Sequence, residues 1–221
     1  MDIFKYDVYR GSNIGIYAKV IDHFVFVPNG YAKTKAKNLA KFLDAGFVFT
    51  SVANTRLIGV LMVANNHGIL LPSTSYSFEQ EHLKKSTGLN VEVLDSKYTC
   101  LGNLICANDK GAIVSPIISK QTVKKIEQVL DVEVIQKRVA GYHQVGAMVV
   151  ATAHGGIIHP ETDDSDIKTF SNVMGVEFEP ATINGGTPFL SSGVLANNHS
   201  IVVGPLTNGP EIMMLTRAFA N

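Results

Sequence analysis

The residues of this chain that could carry out chemistry are two cysteines and three regularly placed histidines. Cys100 and Cys106 lack the spacing of a CxxC pair, and no second thiol pair completes a zinc site, so we interpret both as reduced core residues. His67, His154 and His199 occupy the same place in three repeated segments, three residues after a shared alanine. Three imidazoles brought around one axis would suit a transition metal.

Turn positions explain these histidines better than a metal site does. The two other repeated segments have Ile21 and Lys110 at this place, and a lysine beside the site would repel a cation. Polar turn residues recur in repeats without binding anything. We therefore predict no metal and no cofactor.

The elements that position these residues are indicated by an internal repeat. Five segments end in a proline, and successive prolines are 44 or 45 residues apart. The segments are AKVIDHFVFVP from Ala18, ANNHGILLP from Ala64, ANDKGAIVSP from Ala107, ATAHGGIIHP from Ala151 and ANNHSIVVGP from Ala196. A fixed period of this length is typical of a modular architecture.

Each repeat has the pattern of a β-hairpin, a helix and a third strand. A glycine begins an apolar strand, which turns at a polar tip and returns as a second strand ended by the proline. These glycines are Gly15, Gly59, Gly102, Gly146 and Gly193. A helical apolar face follows, and then a short apolar strand such as 47–50. In the second repeat the helical face is weaker and is carried by Phe78 and Leu83, after a capping box that begins at Ser77.

The two ends of the chain are predicted to close the repeats into a ring. The fifth repeat lacks a third strand, whereas the apolar stretch from Ile3 to Tyr9 precedes the first repeat and belongs to none. If that stretch completes the fifth unit, no exposed sheet edge remains. The alternative is an open array, which would need polar ends, and the segment 212–215 is apolar.

The predicted fold class is therefore α/β, as a five-fold pseudo-symmetric ring of ββαβ units closed by the N-terminal strand. We expect a single domain, because the repeats form one closed structure. Its units are expected at about 12–55, 56–99, 100–142, 143–185, and 186–221 together with 1–10.

The composition restricts the partners that such a ring could bind. Lysine plus arginine equals aspartate plus glutamate, at 19 each, so the chain lacks the basic excess of proteins held mainly by phosphates. It has no basic N-terminal region leading into a long apolar stretch. We expect a monomeric, cytoplasmic protein without membrane contact, in which nucleic-acid contact is minor.

Three stretches of sequence carry a likeness to a known family. They are IGVLMVANNHGILLP at 58–72, LGN at 101–103 with ND at 108–109, and HGGIIHP at 154–160. On these residues the chain resembles the archaeal and eukaryotic initiation factor 6 family, over its whole length and in register through all five repeats. It is similar to the archaeal form, since eukaryotic members continue into a further C-terminal tail.

This resemblance implies the pentein fold and a function in binding rather than catalysis. The expected partner is the large ribosomal subunit, contacted at its intersubunit face mainly through a ribosomal protein near the sarcin–ricin loop, with minor rRNA contact. The bound factor would sterically prevent association with the small subunit, in translation initiation and ribosome biogenesis. Net neutrality agrees with a contact that is largely between proteins.

The alternative comes from the same fold, because guanidine-modifying penteins are enzymes with a cysteine nucleophile in their last unit. This chain has no cysteine after Cys106, and its fifth hairpin offers Asn197, Asn198 and His199 instead. Catalysis cannot proceed without the nucleophile. We therefore expect no enzyme activity, and keep such an enzyme or a degenerate relative as the alternative.

A partner-binding face is predicted where each third strand connects to the next unit. The residues after the unit glycines are Ile16, Val60, Asn103, Ala147 and Val194, so one amide stands among apolar residues. Arg56, Tyr98 and Tyr142 lie in the same connections. Aromatic residues and arginine with an amide among them are typical of a protein-binding hot spot. The alternative is structural: Asn103 would bond only to its own backbone, and the tyrosines would cap the core.

Overall fold

A computed structural model describes residues 1–220 as five three-stranded sheets around one axis. In each sheet an inner strand pairs antiparallel with a middle strand, and the middle strand pairs parallel with an outer strand. The inner strands of neighbouring sheets contact one another, and the last contacts the first. The ring is therefore closed around these inner strands.

The strands are short and recur in chain order. The inner strands are Lys19–Val20, Val63–Ala64, Ile105–Ala107, Val149–Ala151 and Val194–Ala196. The middle strands are Phe24–Pro28, Gly68–Pro72, Gly111–Val114, Gly156–Ile158 and Ser200–Val203. The outer strands are Gly46–Thr50, Asn90–Leu94, Glu133–Gln136, Phe178–Pro180 and, for the fifth sheet, Asp2–Lys5.

One long helix and one helical turn belong to each unit. The helices are Lys33–Phe42, Ser77–Thr87, Lys120–Leu130, Asp164–Met174 and Gly209–Ala218. The turns, which we call the axial turns, are Ile14–Tyr17, Ile58–Leu61, Leu101–Leu104, Val145–Met148 and the 3₁₀ turn Leu190–Ser192. Each axial turn leads into its inner strand, so the turns gather at one end of the ring and the hairpin tips at the other. We call these ends the turn face and the tip face.

The N-terminal strand closes the fifth unit, as the sequence predicts. Asp2–Lys5 pairs in parallel with Ser200–Val203. Phe4 also stacks on Phe42 of the first helix, with ring centroids 4.6 Å apart. The strand thus joins the last sheet to the first helix, and the predicted α/β ring is confirmed.

Two sequence predictions about the second helix are wrong. Phe78 is 58% exposed, whereas the predicted partner Leu83 is fully buried. The capping box begins at Tyr76 and not, as predicted, at Ser77, which is the first residue of the helix. Glu79 accepts a hydrogen bond from the backbone N–H of Tyr76 at 3.0 Å. Burial of Glu79 in place of Phe78 turns the apolar face by one residue and explains its weak periodicity.

Buried carboxylates hold two connections between units. Glu79 and Glu211 both stand in the first turn of a helix and are almost fully buried. Each accepts hydrogen bonds from backbone N–H groups of the preceding connection. The donors are Ala53 and Asn54, both at 2.9 Å from Glu79, and Gly185 and Gly186, at 3.0 and 2.7 Å from Glu211. These bonds supply the donors that a buried carboxylate needs, and they fix the tight turns of the two connections.

Asparagines at the hairpin tips link neighbouring units. The side-chain N–H₂ of Asn65 donates to the carbonyl of Leu130, at the end of the next helix, at 2.8 Å, and to that of Asn108 at 3.1 Å. Its oxygen accepts from the N–H of Gly68 at 3.0 Å. Asn108 and Asn197 make the corresponding bonds from their own units. Each buried amide is therefore well satisfied, as a buried polar group must be.

The axial turns pack more tightly than the sequence suggests. In the first four units the predicted first strands do not start at the unit glycines, because those glycines lie inside the axial turns, whereas Gly193 directly precedes the inner strand Val194–Ala196. A Cβ atom on Gly59 would overlap the carbonyl oxygen of Gly15, and the same relation joins Gly102 to Gly59 and Gly146 to Gly102. Only a residue without a side chain permits this approach of neighbouring turns.

No helix within residues 1–220 is both long enough and apolar enough to cross a membrane.

Removing residues 1–9 should lower the melting temperature sharply. The deletion leaves one edge of Ser200–Val203 without its partner strand, and each buried unpaired backbone group costs about 1–3 kcal/mol. Thermal unfolding followed by circular dichroism measures the loss. A truncated protein that melts cooperatively within about 2 °C of the full chain would contradict ring closure.

Replacing Gly59 by alanine should destabilise the ring by about 3 kcal/mol or more, at the upper end for overpacking. The new methyl group would meet the carbonyl oxygens of Gly15 and Ala18, and neither backbone can yield alone. Gly209→Ala is the matched control, since a Cβ there meets no atom within 4 Å. Denaturant unfolding compares the two variants. Equal stabilities would show that the turns do not need this close approach.

Candidate functional site

The axial turns present one residue each to the turn face. In the turn Ile58–Leu61, the terminal residues are buried and the N–H of Met62 closes the turn by bonding to the carbonyl of Ile58 at 2.8 Å. Gly59 contacts the neighbouring turn, which leaves Val60 partly exposed at the face. In the first four turns apolar end residues thus anchor the turn and leave its third residue free to contact a partner, whereas the fifth turn is anchored by Leu190 and ends at its third residue.

These third residues border one shallow depression at the end of the ring axis. They are Ile16, Val60, Asn103, Ala147 and Ser192, and Phe189 lies beside them. The depression has a volume of about 200 Å³. Three of the predicted site residues, Val60, Asn103 and Ala147, are therefore brought together.

Asn103 differs from the other residues of the depression in its free amide. It is partly buried, and its backbone N–H bonds to the carbonyl of Cys100 at 3.1 Å. Its side chain makes no hydrogen bond to any residue from 1 to 220. The structural alternative, a side chain bonded to its own backbone, is therefore wrong.

The position predicted for the fifth unit is also wrong. Val194 is 4% exposed and lies in the inner strand, below the face. Ser191 takes the place of the unit glycine, since a Cβ on Gly15 would overlap its carbonyl oxygen, and Ser192 takes the exposed place. The sequence did not reveal this equivalence, because a search for the repeated glycine aligns Gly193, and not the serine, with the other unit glycines. The face consequently carries apolar residues from three units, an amide and a hydroxyl.

The three remaining predicted residues lie outside the lining of the depression. Arg56 is exposed, with its guanidinium carbon 5.5 Å from the centre of the Tyr9 ring. Tyr142 is 44% exposed and lies against His159, with ring centres 5.7 Å apart. Tyr98 instead packs against the hydrophobic core, as the structural alternative expected.

Sequence reasoning missed two exposed apolar residues on the connections. Phe189 is 46% exposed and directly precedes the fifth axial turn, and Leu57 is 39% exposed and directly precedes the second. Each stands one residue before a buried turn residue, at Leu190 and Ile58. The signal available in the sequence was the pair of consecutive apolar residues at each of these two positions.

The tip face has no arrangement suited to metal chemistry. In the structure His23 of the first unit is equivalent to His67, His154 and His199 of three other tips. The sequence alignment, which gave Ile21 as the equivalent residue, is therefore wrong by two residues. All four histidines are exposed. Within residues 1–220, no three histidine, cysteine, aspartate or glutamate side chains are placed to hold a metal ion.

The two thiols differ in environment. Cys106 is buried, as expected, but Cys100 is exposed, contrary to the prediction that both are core residues. Burial raises the pKa of the Cys106 thiol to about 11, against the opposing effects of Lys19 and of a hydrogen bond from the N–H of Ala151. A thiol with this pKa is almost entirely protonated at neutral pH and is a poor nucleophile.

Comparison with known proteins identifies a family. The model of the eIF-6 family matches residues 3–218. Translation initiation factor 6 of Cenarchaeum symbiosum is 62% identical over 220 residues, and that of Nitrosopumilus maritimus is 59% identical over 221 residues. Both alignments cover 100% of this chain and 100% of the relative. The factor from Staphylothermus marinus is 36% identical over 223 residues, covering 100% of this chain and 98% of the relative.

A solved structure, C. jejuni agmatine deiminase, is similar over 70% of this chain and 59% of that chain, with a TM-score of 0.42 and 14% identity. A likeness of this extent supports no conclusion about function. The family match, in contrast, spans nearly the whole ring and agrees with the resemblance carried by the repeats. The chain belongs to the eIF-6 family of translation initiation factors.

Proposed function

We propose that the protein binds the large ribosomal subunit at its intersubunit face through the turn face and sterically prevents association with the small subunit. It thereby acts in translation initiation and in ribosome biogenesis, as a monomer in the cytoplasm. The observation that carries the proposal is the unpaired amide of Asn103 in an otherwise largely apolar depression. Family membership supplies the ribosomal context.

The chemistry of the turn face favours a protein partner over RNA. The depression is bordered by Ile16, Val60 and Ala147, which carry no charge, and the whole chain is electrically neutral. RNA-binding surfaces need cations to neutralise phosphates. We therefore propose that the main contact is a ribosomal protein near the sarcin–ricin loop, and that rRNA contact is minor.

Asn103 is the proposed anchor of this contact. Its amide group has one acceptor and two donors, and none is used within the described chain. Docking of a partner would desolvate this amide, which then requires hydrogen bonds from that partner. A residue of this kind, ringed by apolar contacts that exclude water, has the usual setting of a hot spot.

Exposed side chains around the depression extend the proposed interface. Leu57 and Phe189 offer apolar area, and Arg56 is held over the ring of Tyr9. Stacking limits the motion of the guanidinium, so less entropy is lost when it binds. Tyr142 adds exposed aromatic area from the connection before the fourth axial turn, whereas Tyr98 is proposed to support the face from below.

The alternative, a guanidine-modifying enzyme, has no supporting observation in this chain. Such chemistry needs an activated thiolate. The buried Cys106 is held protonated, and the fifth unit contains no cysteine. We therefore propose a binding function without catalysis.

The exchange Asn103→Ser should weaken binding to large subunits by roughly thirtyfold, equivalent to about 2 kcal/mol. Serine remains polar but is too short to reach the same partner groups. The melting temperature should stay nearly unchanged, because the amide bonds to no residue of the described chain. Co-sedimentation across a titration of large subunits measures the affinity.

His67→Ala is the matched control on the tip face. His67 is exposed, and its side chain makes no hydrogen bond within residues 1–220, so binding and stability should both be unaffected. Normal binding by Asn103→Ser together with weak binding by His67→Ala would show that the partner docks on the tip face instead.

The double exchange Cys100→Ala and Cys106→Ala should leave binding to large subunits intact. A modest loss of stability, about 1–2 kcal/mol, is expected from the small space left at Cys106. Co-sedimentation and thermal melting measure these effects. Turnover of a guanidine substrate by the parent that is lost in the double variant would overturn the proposed function.

A further inference from the structure

A narrow cavity lies on the ring axis, between the axial turns and the hairpin tips. Its volume is about 70 Å³, enough for about five water molecules. It is bordered by inner strands from all five units, and Lys19 is the one charged residue among those that line it. We propose that this cavity is a binding site for a small monovalent inorganic anion held by the Lys19 ammonium.

Lys19 has no counter-charge in the described chain. It keeps some accessible surface although it lies deep inside the ring, because it borders the cavity. Its ammonium makes no salt bridge or hydrogen bond to any residue from 1 to 220. Burial accordingly lowers the pKa of this lysine, with a weak opposing effect from Cys106. A buried charge without a partner is costly, and an anion in the cavity would remove that cost.

Backbone donors also point into the cavity. Each inner strand is paired on one side only, so every second residue turns its N–H and C=O groups toward the axis. The residues that bond outward at the tips are Ile21, Asn65, Asn108, Thr152 and Asn197. The residues just before them face inward, and they are Val20, Ala64, Ala107, Ala151 and Ala196, all of which line the cavity.

The N–H of Ala151 agrees with this direction, because it faces the thiol of Cys106 in the neighbouring unit and lowers its pKa against the effect of burial. The four other inward N–H groups and the Lys19 ammonium are the donors available to a ligand. Their carbonyls suit accompanying water molecules. Small side chains at these positions keep the donors accessible. An ammonium with converging N–H groups is the donor set that an anion requires.

Carboxylates on the tip side of the cavity oppose the approach of an anion from that side. Asp22 and Asp109 lie on the tip side of the inward-facing residues, where both accept hydrogen bonds from the side chain of Asn66, at 2.7 and 2.6 Å. Asp22 also accepts from Asn198 at 2.7 Å. These negative charges oppose entry of an anion from the tip face. The turn face carries no such charge around the axis, so entry is proposed from there.

The direct test is a crystal of the full chain grown or soaked in sodium bromide. An anomalous bromide peak inside the ring beside Lys19 is expected. A cavity that holds only water in such crystals would overturn the proposal, since it would mean that the lysine is satisfied by solvent or is neutral.

A solution test uses chloride against gluconate, which is too large for the cavity, at equal ionic strength. Chloride should raise the melting temperature of the parent by about 3 °C or more if the site is mostly filled. Lys19→Met should lose this response, and Lys37→Met, an exchange of an exposed lysine, should keep it. Equal responses of all three proteins would show a general salt effect and contradict the site. If Lys19→Met does not fold, the bromide crystals of the parent decide.

Discussion

The close approach of the axial turns is the contact on which the whole ring depends. At four of the five junctions a carbonyl oxygen of one turn lies against the Cα of the next, and a side chain at Gly15, Gly59, Gly102 or Gly146 would prevent this approach. This distance fixes the radius of the ring, and the radius then sets where five separate hydrophobic clusters form between neighbouring units. The same packing positions both the turn face and the axial cavity, because they lie on opposite sides of the axial turns.

Much of the architecture could be predicted from the sequence, because the repeat gives the same signal five times. The five units, four of the five hairpin tips and the closing N-terminal strand were predicted correctly for this reason. One error was common to four units, whose glycines lie in helical turns and not at the start of strands. Another arose from a contact between residues that are distant in sequence. Glu79 is buried because it accepts bonds from a turn that is distant in sequence, so Phe78 is displaced to the surface. No local pattern contains that bond.

The candidate site was predicted in part for the same reason. Val60, Asn103 and Ala147 follow glycines that keep the repeat, and the structure places all three around one depression. The fifth unit could not be aligned, because Ser191 replaces the glycine there and the turn is 3₁₀ rather than α-helical. The position of Lys19 in an axial cavity could not be predicted either, since the sequence shows only a lysine at the start of a strand. Such departures from the repeat put an amide on the turn face and a lysine beside the axis.

We propose that this neutral ring occupies the surface at which the large subunit joins the small one. The most direct measurement is gradient sedimentation of the purified protein with large subunits, with small subunits and with both together. The protein is expected to sediment with large subunits and not with small ones, and the two subunits are expected to stay apart when it is bound. Sedimentation with small subunits, or normal formation of joined ribosomes that still carry the protein, would contradict it.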